Sequence, residues 1–523
     1  MEFFMSTPNT HFGVNRIRTI MSSCEGKSVF FLGAGGIMMS SLALLTKRAG
    51  YEVAGSDRAP SALTKKLEDA GITMFYEHSE SNLSDNCGAV IYTVAVSPDN
   101  PEYARAQRED IPCISRADYL GYIMTEYKQR VGVAGMHGKS SCTSMCAQIF
   151  LSAAEAKEKS NPTIVSGATY APMGGAYYLG DKDSFIFEAC EYMDSFLDFN
   201  PNIAILLNEE IEHVDYFKSI EQIRDSFANY ASLVGRDGVV IYNIDDPDTV
   251  MSADKVDARK ISFGLCKSAD FRATNIDLDV FPIEFDIEVD GKFFTHISLP
   301  SFGQHSVYNA LAAVAASVYC GISAETVAKG LAEFKGAGRR MEYKGELNGA
   351  AIYDDYGHHP TEVSATLKGA RKACAGRLIC VFQSHTYSRT AALANQFASA
   401  FADADKVIIA DIYAAREENI YGISPEKLAA SIGDKAMYGG DFDSIAELVK
   451  NTAQKDDMVI IMGAGDIFKV FPKLGFSARG GCGGCEDACL RRGCGGCGGD
   501  ACLRRVAFWK KAPQKLLKLL GSN

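Results

Sequence analysis

The first segment that could do chemistry is a glycine turn that ends in a lysine and two hydroxyls: Gly135, Met136, His137, Gly138, Lys139, Ser140 and Ser141. An apolar run precedes this turn and a segment with helical spacing follows it. Backbone N–H groups of such a turn and the positive end of the next helix bind phosphate. Lys139 can reach terminal phosphates, and the Ser140 hydroxyl can ligate Mg²⁺. The turn is shorter than the usual phosphate loop, and the alternative is a plain glycine turn.

Acidic residues and a histidine follow the next two apolar runs of the same region. Glu188 and Glu191 come after residues 185–187, whereas His213 and Asp215 come after residues 203–207. The carboxyl ends of parallel strands line the crevice in which ligands bind. We therefore expect these acids to approach the glycine turn and to hold Mg²⁺ together with Ser140.

Further along the chain, charged and aromatic side chains again follow apolar runs. The sequence has Arg339 and Arg340, then Asp354, Asp355, Tyr356, His358 and His359, and later His385 and Arg389. Paired acids and paired histidines at a strand end are typical of a functional site. An arginine there can bind a carboxylate through two parallel hydrogen bonds.

A second glycine cluster near the N-terminus predicts a weaker phosphate site. Gly33, Gly35 and Gly36 follow the run at residues 28–32, and Asp57 follows the next run. This pattern resembles a dinucleotide fingerprint, but Met38 stands where that fingerprint has glycine. The cluster therefore predicts a general cradle for the diphosphate of a substrate.

Alternating apolar runs and helical segments position these residues. The predicted strands are residues 28–32, 52–55, 89–93, 130–134, 185–187, 203–207, 239–242, 351–353, 378–382, 406–410 and 458–462. Such alternation predicts an α/β fold with parallel sheets. Residues 271–299 alternate apolar and polar side chains and predict inserted antiparallel strands. The glycines on either side of Ala337 are the best hinge candidate.

Composition and charge exclude several classes of protein. The chain has 523 residues and a net charge of −12, which disfavours nucleic-acid binding. It has neither an apolar run long enough for a transmembrane helix nor a secretory signal. Ten of the 16 cysteines are scattered through the body, as in a cytoplasmic protein.

Residues 477–523 differ from the rest. They carry nine Lys and Arg against three Asp and Glu, or +6, which leaves −18 for the first 476 residues. Six cysteines lie at positions 482, 485, 489, 494, 497 and 502, and two CxxC pairs are among them; these thiols could hold zinc or an iron–sulfur cluster. A flexible low-complexity extension is the alternative. The basic, apolar end could contact a membrane surface or a protein.

Several segments together resemble the Mur ligase family: GMHGKSS, EACEYMDSF, GQHSVYNALAA, GAGRRMEYKGE and DDYGHHPTE. The resemblance covers about residues 27–471, and it is greatest for members that add L-alanine to UDP-N-acetylmuramate. It implies an N-terminal extension (1–26), a Rossmann-like UDP-sugar domain (27–126), a P-loop-type central ATPase domain with a mostly parallel sheet (127–336), a Rossmann-like C-terminal domain (337–476) and a tail (477–523).

The resemblance also implies a role for each candidate residue. The UDP diphosphate would be held by Gly33, Gly35 and Gly36, and the transferring phosphoryl group by Lys139. The Mg²⁺ ions would be held by Ser140, Glu188 and His213, the adenine by His305 and Asn309, and the rest of the nucleotide by Arg339 and Asp354. The amino acid would be bound by Tyr356, His358, His385 and Arg389. His213 and His358 are candidate general bases.

The implied reaction is an ATP-dependent amide ligation through an acyl phosphate. Two alternatives stay open from the sequence. The chain could join a preformed tripeptide to the same sugar nucleotide, or it could be a non-catalytic nucleotide-binding or metal-binding scaffold in which the tail does the work.

Overall fold

The computed structural model describes residues 13–93, 96–213, 216–415 and 417–476. Asp215 and the cysteine-rich tail, for which the sequence predicts metal and surface contacts, lie outside these residues. The described chain forms three sheets, which follow one another along the sequence.

The first sheet has five parallel strands in the order β3-β2-β1-β4-β5. Its strands are β1 (Ser28–Leu32), β2 (Glu52–Ser56), β3 (Thr73–Phe75), β4 (Cys87–Tyr92) and β5 (Cys113–Ser115), and its helices are α1 (Val14–Ser23), α2 (Ile37–Arg48), α3 (Ala62–Asp69), α4 (Pro101–Arg108) and α5 (Arg116–Met124). Four of the five residues of β1 are buried, because helices cover both faces of a parallel sheet.

Helix α1 lies in the range predicted to be an extension, yet it packs on the first domain. Ile17, Met21 and Cys24 are fully buried there. Their spacing of four and three residues places all three on one helix face. Residues from Val14 onward therefore contribute to the core of this domain.

The central sheet has ten strands in the order β15-β14-β13-β12-β11-β10-β6-β9-β7-β8. Its strands are β6 (Gln129–Ala134), β7 (Thr163–Tyr170), β8 (Gly175–Tyr178), β9 (Ser184–Glu188), β10 (Ile203–Leu206), β11 (Val239–Asn243), β12 (Arg259–Gly264), β13 (Phe271–Asp277), β14 (Ile283–Val289) and β15 (Lys292–Leu299), and its helices are α6 (Lys139–Glu155), α7 (Ile220–Ser232), α8 (Pro247–Asp254), α9 (Gln304–Tyr319) and α10 (Ala324–Ala332). The strands β13 to β15 pair antiparallel, as predicted for residues 271–299.

The third sheet has six strands in the order β16-β17-β21-β18-β19-β20, and β16 alone among them pairs antiparallel. Its strands are β16 (Glu342–Leu347), β17 (Ala350–Asp355), β18 (Leu378–Phe382), β19 (Lys406–Ile409), β20 (Ala436–Tyr438) and β21 (Met458–Met462), and its helices are α11 (Pro360–Ala373), α12 (Tyr387–Ala392), α13 (Ala394–Ala400), α14 (Pro425–Ile432), α15 (Phe442–Thr452) and α16 (Val470–Lys473). The predicted α/β class with three mostly parallel sheets is confirmed.

Each sheet lies within one of the predicted domain ranges, although the boundaries themselves stay predictions. None of the helices in the described part of the chain has the length and apolar character that a membrane crossing requires.

A substitution at Gly132 tests how closely side chains pack against the central sheet. It lies in the middle of β6, and a methyl group at this position would overlap the Tyr230 hydroxyl and the Phe187 ring. We expect Gly132→Ala to reduce the free energy of unfolding by about 1–3 kcal/mol, because the overlap forces the sheet to shift. Thermal denaturation measures this loss. Gly175→Ala in β8, whose methyl group would meet only the Lys66 amine at 3.5 Å, is the control that should leave stability unchanged.

Candidate active site

The glycine turn connects β6 to α6 and is tied to the end of β10. The Met136 N–H donates to the Asn208 carbonyl at 3.1 Å, and the His137 N–H donates to the Asn208 side chain at 2.8 Å. Gly138 has φ +83°, and a side chain here would meet Asn309 Oδ1 at 2.5 Å. Only glycine therefore allows the close approach of the turn to α9.

Lys139, at the start of α6, is largely buried, with 13% of its side chain exposed, and folds back over the turn. Its ammonium donates to the carbonyls of Gly135 at 2.5 Å and Met136 at 3.1 Å, and it pairs with Glu191 at 2.9 Å. Burial alone would lower the pKa of Lys139, but Glu191 and the neighbouring acids outweigh this effect and raise it. The lysine is therefore a cation held at the mouth of a phosphate-binding turn.

The Ser140 hydroxyl donates to Glu188 Oε2 at 2.8 Å, and the same oxygen accepts the Gly167 N–H at 3.0 Å. Neighbouring ligands of an octahedral Mg²⁺ ion are about 2.9 Å apart, since its bonds are about 2.05 Å long. The two oxygens thus have the chemistry and the spacing of two Mg²⁺ ligands.

His213 approaches this group through Glu191, one of the acids expected from the sequence to lie near the turn. Its Nε2 lies 3.1 Å from Glu191 Oε1, so Glu191 contacts both His213 and Lys139. Glu191 is 1% exposed, and its pKa is lowered, because Lys139 and His213 outweigh the effect of burial. Glu191 therefore lies near the turn as expected, but it contacts Lys139 and His213, and its role as a Mg²⁺ ligand stays a prediction.

A cavity of about 300 Å³ lies between the central and third domains, next to the turn. Its lining includes the predicted residues His137, Gly138, Ser141, His305 and Asn309. These five residues, which the sequence predicts to bind the nucleotide, therefore lie around one cavity.

From the third domain, Arg340 and Asp355 line this cavity, and the predicted Arg339 and Asp354 are not among its lining residues. Arg339 Nε instead pairs with Asp354 at 3.3 Å, and its guanidinium lies over the Tyr356 ring. Burial raises the pKa of Asp354 to about 6, against the effect of Arg339. The nucleotide contacts of Arg339 and Asp354 stay predictions. Arg340 is an additional candidate for binding the nucleotide.

The residues predicted for the amino-acid end form one group in the third domain. The His358 ring centre lies 5.6 Å from that of Tyr356 and 6.1 Å from that of His385, and Arg389 Nη1 lies 3.5 Å from His385 Nδ1. Burial lowers the pKa of His358 to about 4, so its imidazole is neutral at pH 7 and can accept a proton.

Ion pairs connect the central and third domains along a seam. We define the seam as His137, Glu210 and Glu212 of the central domain with His359, Glu362 and Arg389 of the third. Arg389 pairs with Glu212 at 2.7 Å, His137 Nδ1 with Glu362 at 3.3 Å, and His359 Nδ1 with Glu210 at 3.4 Å; His137 Nε2 also contacts Glu210.

The ion pairs of the seam shift the pKa values of two of its residues, His137 and Glu212. Burial alone would lower the pKa of His137, but Glu210 and Glu362 raise it to about 9. Burial would raise the pKa of Glu212, but Arg389 and nearby histidines lower it to about 2. Charged partners from both domains therefore stabilise the contact between them.

The first-domain cradle lies at the carboxyl end of β1. Gly33 has φ +76°, and Gly36 precedes α2 without a side chain that caps the helix. The N–H groups of the first turn can therefore bind an anion. Asp57 accepts the Gly35 N–H at 2.8 Å, so its carboxylate shapes the turn. Met38 packs against the core of the domain.

One buried acid beside the cavity is held in its neutral form. Glu209 is 3% exposed, its Oε2 accepts the Ser252 hydroxyl at 2.8 Å, and its Oε1 has no hydrogen-bond partner among the described residues. Burial, with Asp246 and Asp248 nearby, raises the pKa of Glu209 to about 9.

Known protein domains match nearly the whole described chain. Residues 28–128 match the Mur ligase family catalytic domain, residues 133–317 the Mur ligase middle domain, and residues 339–465 the Mur ligase glutamate ligase domain.

Individual relatives match over similar lengths. The chain is 41% identical to UDP-N-acetylmuramate–L-alanine ligase of Caldicellulosiruptor bescii over 84% of this chain and 96% of the relative. It is 42% identical to the protein of that name from Acetivibrio thermocellus, over 86% of this chain and 96% of the relative. The crystal structure of the UDP-N-acetylmuramate-alanine ligase from Thermotoga maritima is similar with a TM-score of 0.70 at 26% identity, over 85% of this chain and 97% of that one.

The neutral Glu209 predicts a pH-dependent stability. A carboxyl with a raised pKa stabilises the fold fully below its unfolded-state pKa, and this contribution is lost as the pH rises towards 9. Glu209→Gln removes the titrating group, so the melting temperature of the variant should rise relative to the wild type between pH 5 and pH 9. We expect a gain of the order of 1–3 kcal/mol at pH 8. Calorimetry across this range measures it, and a difference that does not change with pH would contradict it. Glu25→Gln, at an exposed position, is the control.

Proposed function

Because the chain belongs to the Mur ligase family, we propose that it joins L-alanine to the lactyl carboxylate of UDP-N-acetylmuramate, a step in peptidoglycan precursor synthesis. It is an ATP-dependent, amide-forming ligase of a family that uses Mg²⁺. The observation that carries the proposal is the buried Lys139 at the phosphate-binding turn, with Ser140 and Glu188 beside it.

In the first step the substrate carboxylate attacks the γ-phosphate of ATP, and an acyl phosphate and ADP form. The Lys139 ammonium stabilises the negative charge of the transferring phosphoryl group, and the backbone N–H groups of the turn bind the neighbouring phosphates. Ser140 and Glu188 would hold Mg²⁺, which neutralises phosphate charge when it is bound. Glu191 keeps Lys139 and His213 in place for this step.

In the second step the amine of L-alanine attacks the acyl phosphate, and the amide and phosphate form. We assign the alanine carboxylate to Arg389 and His385, whose nitrogens lie 3.5 Å apart. The neutral His358 is the candidate base that removes the proton of the amine. Closure along the seam would exclude water, which would otherwise hydrolyse the intermediate.

Three further assignments are part of the proposal. We place the protein in the cytoplasm, because the ten cysteines of the described chain are free thiols, as in a reducing compartment. The spacing of the tail cysteines supports a zinc or iron–sulfur site there. The similarity to relatives named for alanine favours a single amino acid over a tripeptide as the second substrate.

A substrate panel tests the reaction directly. The purified protein, ATP, Mg²⁺ and UDP-N-acetylmuramate should release phosphate rapidly only when L-alanine is added, because the acyl phosphate turns over by attack of the amine. Phosphate release is measured with L-alanine, glycine, L-serine and the tripeptide in parallel. Equal release with and without L-alanine would refute the ligase, and faster release with the tripeptide would refute the choice of alanine.

Lys139→Ala should reduce kcat at least ~10³-fold, because the charge of the transferring phosphoryl group loses its principal side-chain cation. Steady-state phosphate release measures this loss, and a thermal melt confirms that the variant is folded. Lys182→Ala removes an exposed lysine that pairs with Glu126, and it should keep wild-type activity. Wild-type turnover by Lys139→Ala would exclude the role assigned to this residue.

A further inference from the structure

Arg116 lies at the carboxyl edge of the first sheet, directly after β5. It is the first residue of α5, and its side chain is half-buried. It makes no hydrogen bond, ion pair or ring contact with any residue that the structure describes. Two other arginines of this domain have acidic partners: Arg105 pairs with Asp85 and Glu109, and Arg108 with Glu80.

The register of the sheet gives the position of Arg116 relative to the diphosphate cradle. Leu32 of β1 is in register with Tyr92 of β4, and Tyr92 is in register with Ser115 of β5. The next residues, Gly33, Thr93 and Arg116, therefore lie side by side at the carboxyl edge. Because neighbouring strands are about 4.8 Å apart, the Arg116 backbone lies roughly 10 Å from Gly33.

On its other side Arg116 lies near the residues that follow β9 in the central domain. Burial lowers the pKa of Arg116, and the one titratable side chain that opposes this effect is Cys190. Cys190 stands between Glu188 and Glu191, which contact Ser140 and Lys139. Helix α5 also contacts this region, since the Gly121 carbonyl accepts from the Asn200 side chain at 3.4 Å. Arg116 thus lies between the cradle and the site of phosphoryl transfer.

A half-buried guanidinium without an acceptor favours an anionic ligand, because burial penalises an unpaired charge. The phosphates of ATP belong to the turn at Lys139, and the substrate diphosphate belongs to the first turn of α2, two strands away. The third anion of the reaction is the carboxylate of the sugar nucleotide. It must lie between the other two, since it is joined to the diphosphate through the sugar and attacks the γ-phosphate.

We propose that Arg116 binds the lactyl carboxylate of the sugar nucleotide with its guanidinium and orients that carboxylate towards the γ-phosphate of ATP. This inference rests on the proposed function. A guanidinium suits the role, because its planar fork donates two parallel hydrogen bonds to a carboxylate and leaves the lone pair that attacks phosphorus accessible.

The proposal is tested by calorimetric binding of two sugar nucleotides to the full-length protein. UDP-N-acetylmuramate has the carboxylate, whereas UDP-N-acetylglucosamine has the same diphosphate without it. Arg116→Gln should weaken the binding of UDP-N-acetylmuramate roughly 10- to 100-fold, the range for a hydrogen bond to a charged group. Binding of UDP-N-acetylglucosamine should stay within about twofold of the wild type.

Kinetics and stability provide two further readouts. Arg116→Gln should raise KM for the sugar nucleotide and leave KM for ATP and for L-alanine unchanged. Its melting temperature should not fall, because Arg116 has no partner to lose among the described residues. The matched control is Arg108→Gln in the same domain, whose exposed side chain pairs with Glu80. This variant should bind both nucleotides as the wild type does.

The other outcomes would contradict the role of Arg116, the proposed function, or both. An equal loss of affinity for both nucleotides would assign Arg116 to the diphosphate and overturn the proposal, and so would no loss at all. Wild-type binding of UDP-N-acetylmuramate without alanine-dependent phosphate release would overturn the proposed function alone. Failure of the wild type to bind UDP-N-acetylmuramate would overturn both.

Discussion

The structure of the site depends on the need to compensate one buried cation. The Lys139 ammonium lies against the carbonyls of the glycine turn, and an unpaired charge there would be strongly destabilising. Glu191 supplies the balancing carboxylate and is itself 1% exposed, so it in turn requires Lys139 and His213. Each of the three side chains is therefore held by another. In the proposed function, a triphosphate at the turn meets a cation that Glu191 already holds there.

Parallel sheets explain why chemically active residues from distant parts of the chain meet. Gly33 and Arg116 follow strands of the first sheet, Gly135 and Glu188 follow strands of the central sheet, and His385 follows a strand of the third. All five lie at carboxyl ends, where ligands bind in open α/β sheets. In the proposed function, these three edges bind the sugar nucleotide, ATP and the amino acid.

The sequence predicted the strands more accurately than the contacts between side chains. The bounds of β1, β18 and β21 were predicted without error, because each is a short apolar run bounded by polar or glycine residues. Which of the two neighbouring arginines lines the cavity was not predictable, since Arg339 has φ +55° and Met341 φ +50°, and such backbone turns leave no periodic pattern. The double role of Glu191 also depends on tertiary contacts, which spacing alone does not reveal.

His137 belongs to two structures at once. Its backbone is part of the turn that faces the nucleotide phosphates, and its ring contacts Glu210 of the central domain and Glu362 of the third. A displacement of the turn therefore moves a side chain that the third domain holds directly, with no helix or strand between them. In the proposed function, the nucleotide at the turn and the third domain therefore both act on a single imidazole.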